Sequence, residues 1–172
     1  MNVHPECGRA DLHVHSVWSD GAQRPDAIVR ACAGRLDVVA ITDHDEIQGA
    51  LEARAFARER ADLGVDVVVG EEISTLNGHL LGLYLEERVP PGLPAAETIG
   101  RIHAQGGLAV AAHPFHPLRG SVRGHPSIGE LLPHLACLIS TALSRFRELG
   151  RSKRPSNPAG VTHPTFIEFG EL

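Results

Sequence analysis

Cysteine is scarce in this chain and never clustered. Cys7, Cys32 and Cys137 are widely spaced among 172 residues and form no CxxC pair. That excludes a disulfide framework or a zinc ribbon and fits buried thiols in a reducing compartment. Positive charge is not in excess either. A formal charge of −5 and a pI near 6.1 argue against nucleic-acid binding driven by bulk charge, so no duplex nucleic acid is expected as a partner. No apolar signal stretch opens the sequence and no run is long enough to span a membrane; the expected location is the cytoplasm. Neither a GxxxxGK[ST] phosphate loop nor an internal repeat occurs.

What is present is ordinary in amount and unusual in placement. Hydrophobic residues make up 42% and charged residues 22%, as in a soluble globular chain. The length suits one domain with a real core but is short for a complete barrel. Gln23-Arg24-Pro25-Asp26 reads as a helix start with proline in the first turn. Ala27, Ile28, Ala31 and Cys32 form an apolar stripe behind it, and Gly34 closes the helix. Residues 36–42 are a nearly continuous β-branched run, expected to be a strand buried on both faces. Residues 46–62 predict a helix, 65–73 and 78–84 two strands, 95–105 a helix and 108–112 a short buried strand. The short link between 73 and 78 favours an antiparallel or crossing pair. Alternation of strand and helix favours a parallel α/β architecture.

Candidate ligands recur at the ends of these strands. In Asp11-Leu-His13-Val-His15-Ser-Val-Trp18-Ser-Asp20-Gly21, two histidines one residue apart share a strand face, because side chains alternate with a period of two. A turn with a carboxylate follows. His44, Glu72, His79 and His113 fall at later strand ends, where α/β barrels collect their chemistry. Imidazole and carboxylate together suit zinc, iron or manganese. Chance placement of seven such residues is hard to credit, although an isolated His-x-His is more often a solvated surface strand. His103 lies within a helix and reads as surface or core, and His4, His116, His125 and His134 as solvent-facing or capping residues. Asp43 and Asp45 read equally well as partners that orient His44 or as solvated loop carboxylates.

This order of motifs resembles the polymerase and histidinol phosphatase (PHP) superfamily of metal-dependent phosphoesterases. The matching segments are Asp11–Ser16 with Ser19-Asp20-Gly21, Ala40-Ile-Thr-Asp-His44-Asp, Gly70-Glu-Glu72-Ile-Ser, Gly78-His79-Leu-Leu-Gly and Gly107-Leu-Ala-Val-Ala-Ala-His113-Pro. The resemblance implies a distorted (β/α)7 TIM-like barrel, here shortened or incomplete, in a single domain over 1–172 with 1–120 well matched and 121–172 diverged. It implies two or three divalent metal ions, Zn, Mn or Fe. His13, His15 and Glu72 would hold the first, with Glu72 bridging to a second completed by His79 and His113. Asp20 and His44 would hold a third. Glu72 is chosen over Glu71 because the family glutamate stands two residues after the glycine, and strand alternation sends Glu71 the other way.

The family normally ends its site with Gly-Ser-Asp-Ala-His. In this chain Thr162 and Pro164 stand where that Asp and His belong, and His163 is the nearest candidate ligand, one position out of register. Residues 135–157 also lack the family's usual buried strand. The implied activity is hydrolysis of a small phosphorylated metabolite or nucleotide by a metal-bound hydroxide, with no Ser-His-Asp or Cys nucleophile needed. Arg119 and Arg123 are candidate phosphate contacts and His116 a candidate general acid. The alternative is a degenerate, non-catalytic metal-binding domain with a structural or interaction role, favoured by Thr162 and Pro164. Phosphoester hydrolysis above the metal-only background would eliminate it.

Overall fold

A computed structural model describes residues 8–112. The predicted sites His113, His116, Arg119 and His163, with the diverged segment 121–172, lie outside them. The described elements run β1 (Ala10–Val14), α1 (Pro25–Cys32), β2 (Val38–Ile41), α2 (Gln48–Glu59), a 3-10 turn (Ala61–Leu63), β3 (Asp66–Thr75), β4 (Gly78–Leu83), α3 (Ala95–Ala104) and β5 (Leu108–Ala111).

The five strands form one sheet in sequence order. β1, β2 and β3 are parallel, whereas β4 runs antiparallel to both β3 and β5. The purely parallel expectation is corrected at β4, and the antiparallel reading of the short 73–78 link holds. β3 belongs to both halves. Asp66–Val69 pairs with β2, and Gly70–Thr75 pairs with β4. Gly70 marks the change of partner. A Cβ there would stand 2.8 Å from Thr42 Cγ2, 3.0 Å from Gly82 O and 3.1 Å from Ile41 O. Only glycine lets neighbouring backbones approach so closely, and the sheet curls as half a barrel would.

The helices pack against the sheet. Pro25 stands in the first turn of α1, where its missing N–H costs nothing. Ile28, Val29 and Cys32 of α1 and Ala50, Ala53 and Ala57 of α2 are buried in one core with Val38–Ile41 of β2. The small alanines let α2 lie close to the sheet, and the Arg30 guanidinium sits 4.6 Å from the Phe56 ring centre to tie α1 to α2. Helix α2 starts two residues later than predicted because the Glu46 carboxylate accepts from the Ile47 and Gln48 amides at 2.8 and 2.9 Å, a capping role outside the helix. On α3, Ile99 and Ile102 are buried with Leu80 and Leu83 of β4. Among the described residues no helix is long and apolar enough to cross a membrane.

Candidate metal centre

Four imidazoles meet over one buried carboxylate just beyond the ends of β1 and β2, alongside the middle of β3. Glu72 lies within β3 and is only 1% exposed. His13 Nε2 lies 2.8 Å and His15 Nε2 2.9 Å from Glu72 Oε2, and His79 Nδ1 lies 2.8 Å from Oε1. His44 Nδ1 lies 3.7 Å from Oε2. On the outer side, Asp20 is 2.8 Å from His15 Nδ1 and 3.8 Å from His44 Nε2. The rings follow one another as a chain, tilted or edge-on, with centres 5.1 Å apart for His13 and His15, 4.7 Å for His15 and His44, and 5.2 Å for His44 and His79.

Each ligand arrives by a different local device. The pairing of β1 with β2 shifts register between Asp11 and Val14, and His15 follows the strand, yet both histidines still reach Glu72. His44 is held by a parallel bridge to Glu72, with the Glu72 amide donating to Asp43 O and the Asp45 amide to Glu72 O. Asp45 has φ 52°, a left-handed conformation that aspartate tolerates better than most residues. Its Oδ1 accepts from the Ser74 amide at 2.7 Å. His79 stands at the start of β4, not at a strand's C-terminal end as expected. It reaches the cluster because β4 is antiparallel and Ser74 pairs with His79.

The electrostatics follow from this crowding. Burial by itself would raise Glu72. Hydrogen bonds from His13, His15 and His79 outweigh it and hold the carboxyl well below its usual range. His15 is shifted up, chiefly by its hydrogen bond to Glu72 against the opposing effect of burial, with Asp20 and Asp43 adding attraction. Carboxylates stand against both of its ring nitrogens, so the site calls for positive charge at this ring. Glu71 points away from the cluster, is fully buried and accepts from the Val89 amide at 2.8 Å.

The donor set fits divalent ions. Three groups, His13–His15–Glu72, His15–Asp20–His44 and His44–Glu72–His79, each bring three ligand atoms within 4.8 Å of one another. Donors about 2.0–2.2 Å from one ion at tetrahedral or right angles stand roughly 2.8–3.6 Å apart; the contacts of His13, His15 and His79 with Glu72 fall in that range and those of His44 lie just beyond it. The structure thus brings together six of the seven strand-end candidates. Of the two readings left open for Asp43 and Asp45, neither side chain contacts His44, and Asp43 is not solvated but fully buried. Asp43 instead accepts from Ser16 and Ser19. Sequence spacing assigns no role to these serines; the available signal was two hydroxyls in a turn between two candidate ligands.

Six histidine and carboxylate side chains gathered on a mixed α/β scaffold form groups that could hold divalent ions. The PHP domain model matches residues 11–122, more than half of the chain, and the chain belongs to that family. An uncharacterized protein of Methanocaldococcus jannaschii is 40% identical over 122 residues, 64% of this chain and 70% of that protein. A phosphoribosyl 1,2-cyclic phosphate 1,2-diphosphodiesterase of Eggerthella lenta is 36% identical over 102 residues, 55% of this chain and 38% of the enzyme. A 3',5'-nucleoside bisphosphate phosphatase of Chromobacterium violaceum is 39% identical over 85 residues, 46% of this chain and 29% of the enzyme. The match therefore spans well under half the length of either named enzyme. In fold it is similar to a two-domain Bacteroides vulgatus protein described as containing a predicted PHP-like metal-dependent phosphoesterase. That match has a TM-score of 0.62 at 19% identity and covers 80% of this chain and 49% of the other.

Proposed function

We propose that this chain is a metal-dependent phosphoesterase acting on a small phosphorylated metabolite or nucleotide. The observation that carries the reading is the convergence of His13, His15, His44 and His79 on the buried Glu72, with Asp20 completing the outer side. Its support from relatives is that proteins sharing this segment are named as a cyclic-phosphate diphosphodiesterase and a bisphosphate phosphatase. In this reading His13, His15 and Glu72 hold one ion, Glu72 and His79 with His113 a second, and Asp20 and His44 a third, with His163 a further ligand. Zn, Mn and Fe all suit such donors. Residues 1–172 form one PHP-like domain of the distorted (β/α)7 type, working in the cytoplasm.

Divalent ions bound there supply charge that neutralises phosphoryl oxygens and lower the pKa of water. The chain's own residues do the rest. Glu72 is kept ionised in a buried position, so its charge is fixed before any ligand arrives. The imidazole rings are only partly buried, which leaves their outer sides open to a small substrate. His116 serves as general acid and Arg119 as phosphate contact. Thr162 and Pro164, which favour a non-catalytic domain, lie outside the described residues, and no geometry among the described residues favours that alternative.

The test is metal content together with phosphate release. Untagged protein purified without chelator should carry two or three equivalents by elemental mass spectrometry. It should also hydrolyse members of a panel of nucleoside bisphosphates and cyclic sugar phosphates. Glu72→Gln and His13→Ala should lose both properties, with activity down about 100-fold or more. A loaded wild-type chain with no hydrolysis on the panel would overturn the enzymatic reading, and a chain without metal would overturn the metal centre.

A further inference from the structure

Asp43 is a fully buried carboxylate to which the proposed ligand set gives no task. Its hydrogen bonds run to one loop. The Ser16 amide donates to Oδ1 at 2.6 Å, the Ser16 hydroxyl to Oδ2 at 2.7 Å and the Ser19 hydroxyl to Oδ1 at 2.6 Å. That loop leads from His15 to Asp20 and closes on Ser16. Ser16 O accepts from the Ser19 and Gly21 amides at 3.1 and 2.9 Å, and Ser16 Oγ accepts from the Trp18 amide at 3.1 Å. Asp20, whose side chain is 71% exposed, has no core packing to hold it. Its placement beside His15 and His44 follows from the loop, and the loop is folded around Asp43. Through its backbone Asp43 also accepts from the Glu72 amide, so one residue joins the first loop, the end of β2 and the centre of β3.

Helix α2 is shaped around the same network. A Cβ on Gly49 would lie 2.3 Å from Asp43 Oδ2, 2.6 Å from Ser16 Oγ and 3.0 Å from Trp18 Cδ1. An ordinary loop anchor could be neutral. A buried carboxylate is strongly disfavoured unless its bonds are complete, and the three donors here satisfy it.

We propose that Asp43 is a positioning residue that, through the loop it anchors, places Asp20 beside His44, so that the ion held by Asp20 and His44 depends on the Asp43 side chain more than the ions centred on Glu72 do. The proposal rests on the metal-centre reading above. It is tested on chelator-stripped full chain titrated with Mn²⁺, with free Mn²⁺ followed by electron paramagnetic resonance and folding by thermal melts. Asp43→Asn, Ser19→Ala and Gly49→Ala should each weaken the last ion about 10- to 100-fold, the range for loss of a partner behind a ligand. The tighter ions should weaken less, and Ser19→Thr, which restores the hydroxyl, should restore the last ion. Ser19 Oγ also lies 3.4 Å from His15 Nδ1, so Ser16→Ala, whose hydroxyl bonds to Asp43 and the Trp18 amide and to no ligand, carries the test if the Asp43 variant does not fold. Unchanged affinities in the folded variants, or equal weakening of every ion, would overturn the proposal. A wild-type chain that takes up no Mn²⁺ would overturn the metal centre and this proposal with it, whereas normal wild-type uptake with unaltered variants would overturn this proposal alone.

Discussion

Replacing Glu71 by glutamine should make the protein more stable at high pH and leave it unchanged in acid. Glu71 is fully buried. Its Oε2 accepts from the Val89 amide, while Oε1 has no hydrogen-bond partner among the described residues and the Arg88 guanidinium comes no nearer than 4.0 Å. Burial pushes its carboxyl from an ordinary 4.5 up to about 7; the Val89 amide and Arg88 only partly oppose this. A folded-state value above the unfolded one gives stability that is fully present below 4.5 and lost as the pH rises through about 7. At roughly 1.4 kcal/mol per pH unit, ionised Glu71 costs about 3 kcal/mol at pH 8. Glutamine keeps the acceptor for Val89 and cannot ionise. Urea unfolding of both proteins with chelator should therefore show equal stabilities near pH 4.5 and a gap of up to about 3 kcal/mol in favour of Glu71→Gln at pH 8. A gap independent of pH, or a glutamine variant weaker at pH 8, would refute the reasoning.

Two further outcomes follow from the same geometry. Gly70→Ala should cost about 1–3 kcal/mol, because its Cβ would meet two carbonyl oxygens and the Thr42 methyl; an unchanged melting temperature would mean that β3 does not turn tightly there. In metal-free protein the upward shift of His15 gives stability that is fully present below about 6.5 and lost as the pH rises through its higher folded value. Melting temperatures recorded from pH 6 to 9 with chelator should therefore fall more steeply for the wild type than for His15→Gln, and parallel curves would contradict the His15–Glu72 pairing.

The local parts of this protein are legible in its sequence, because periodicity and punctuation act within a few residues. The β-branched run at Val38–Ile41 is a strand buried throughout. Pro25 opens α1, and the alternation at His13 and His15 brings both rings to one carboxylate. Alternation likewise separates Glu71 from Glu72. Other features depend on contacts between residues far apart in the chain, which local pattern does not encode. His79 joins the cluster only because β4 runs antiparallel to β3 and pairs Ser74 with His79. Gly70 and Gly49 look like unremarkable glycines until two strands and a buried carboxylate close in on them. Asp43 stands beside His44 in sequence, yet its side chain bonds to Ser16 and Ser19, 27 and 24 residues earlier. The residues able to bind metal were determined by sequence alone, whereas their arrangement, and the groups that hold them in place, were decided by the tertiary packing of β1, β2, β3 and α2 around buried charges that had to find their donors.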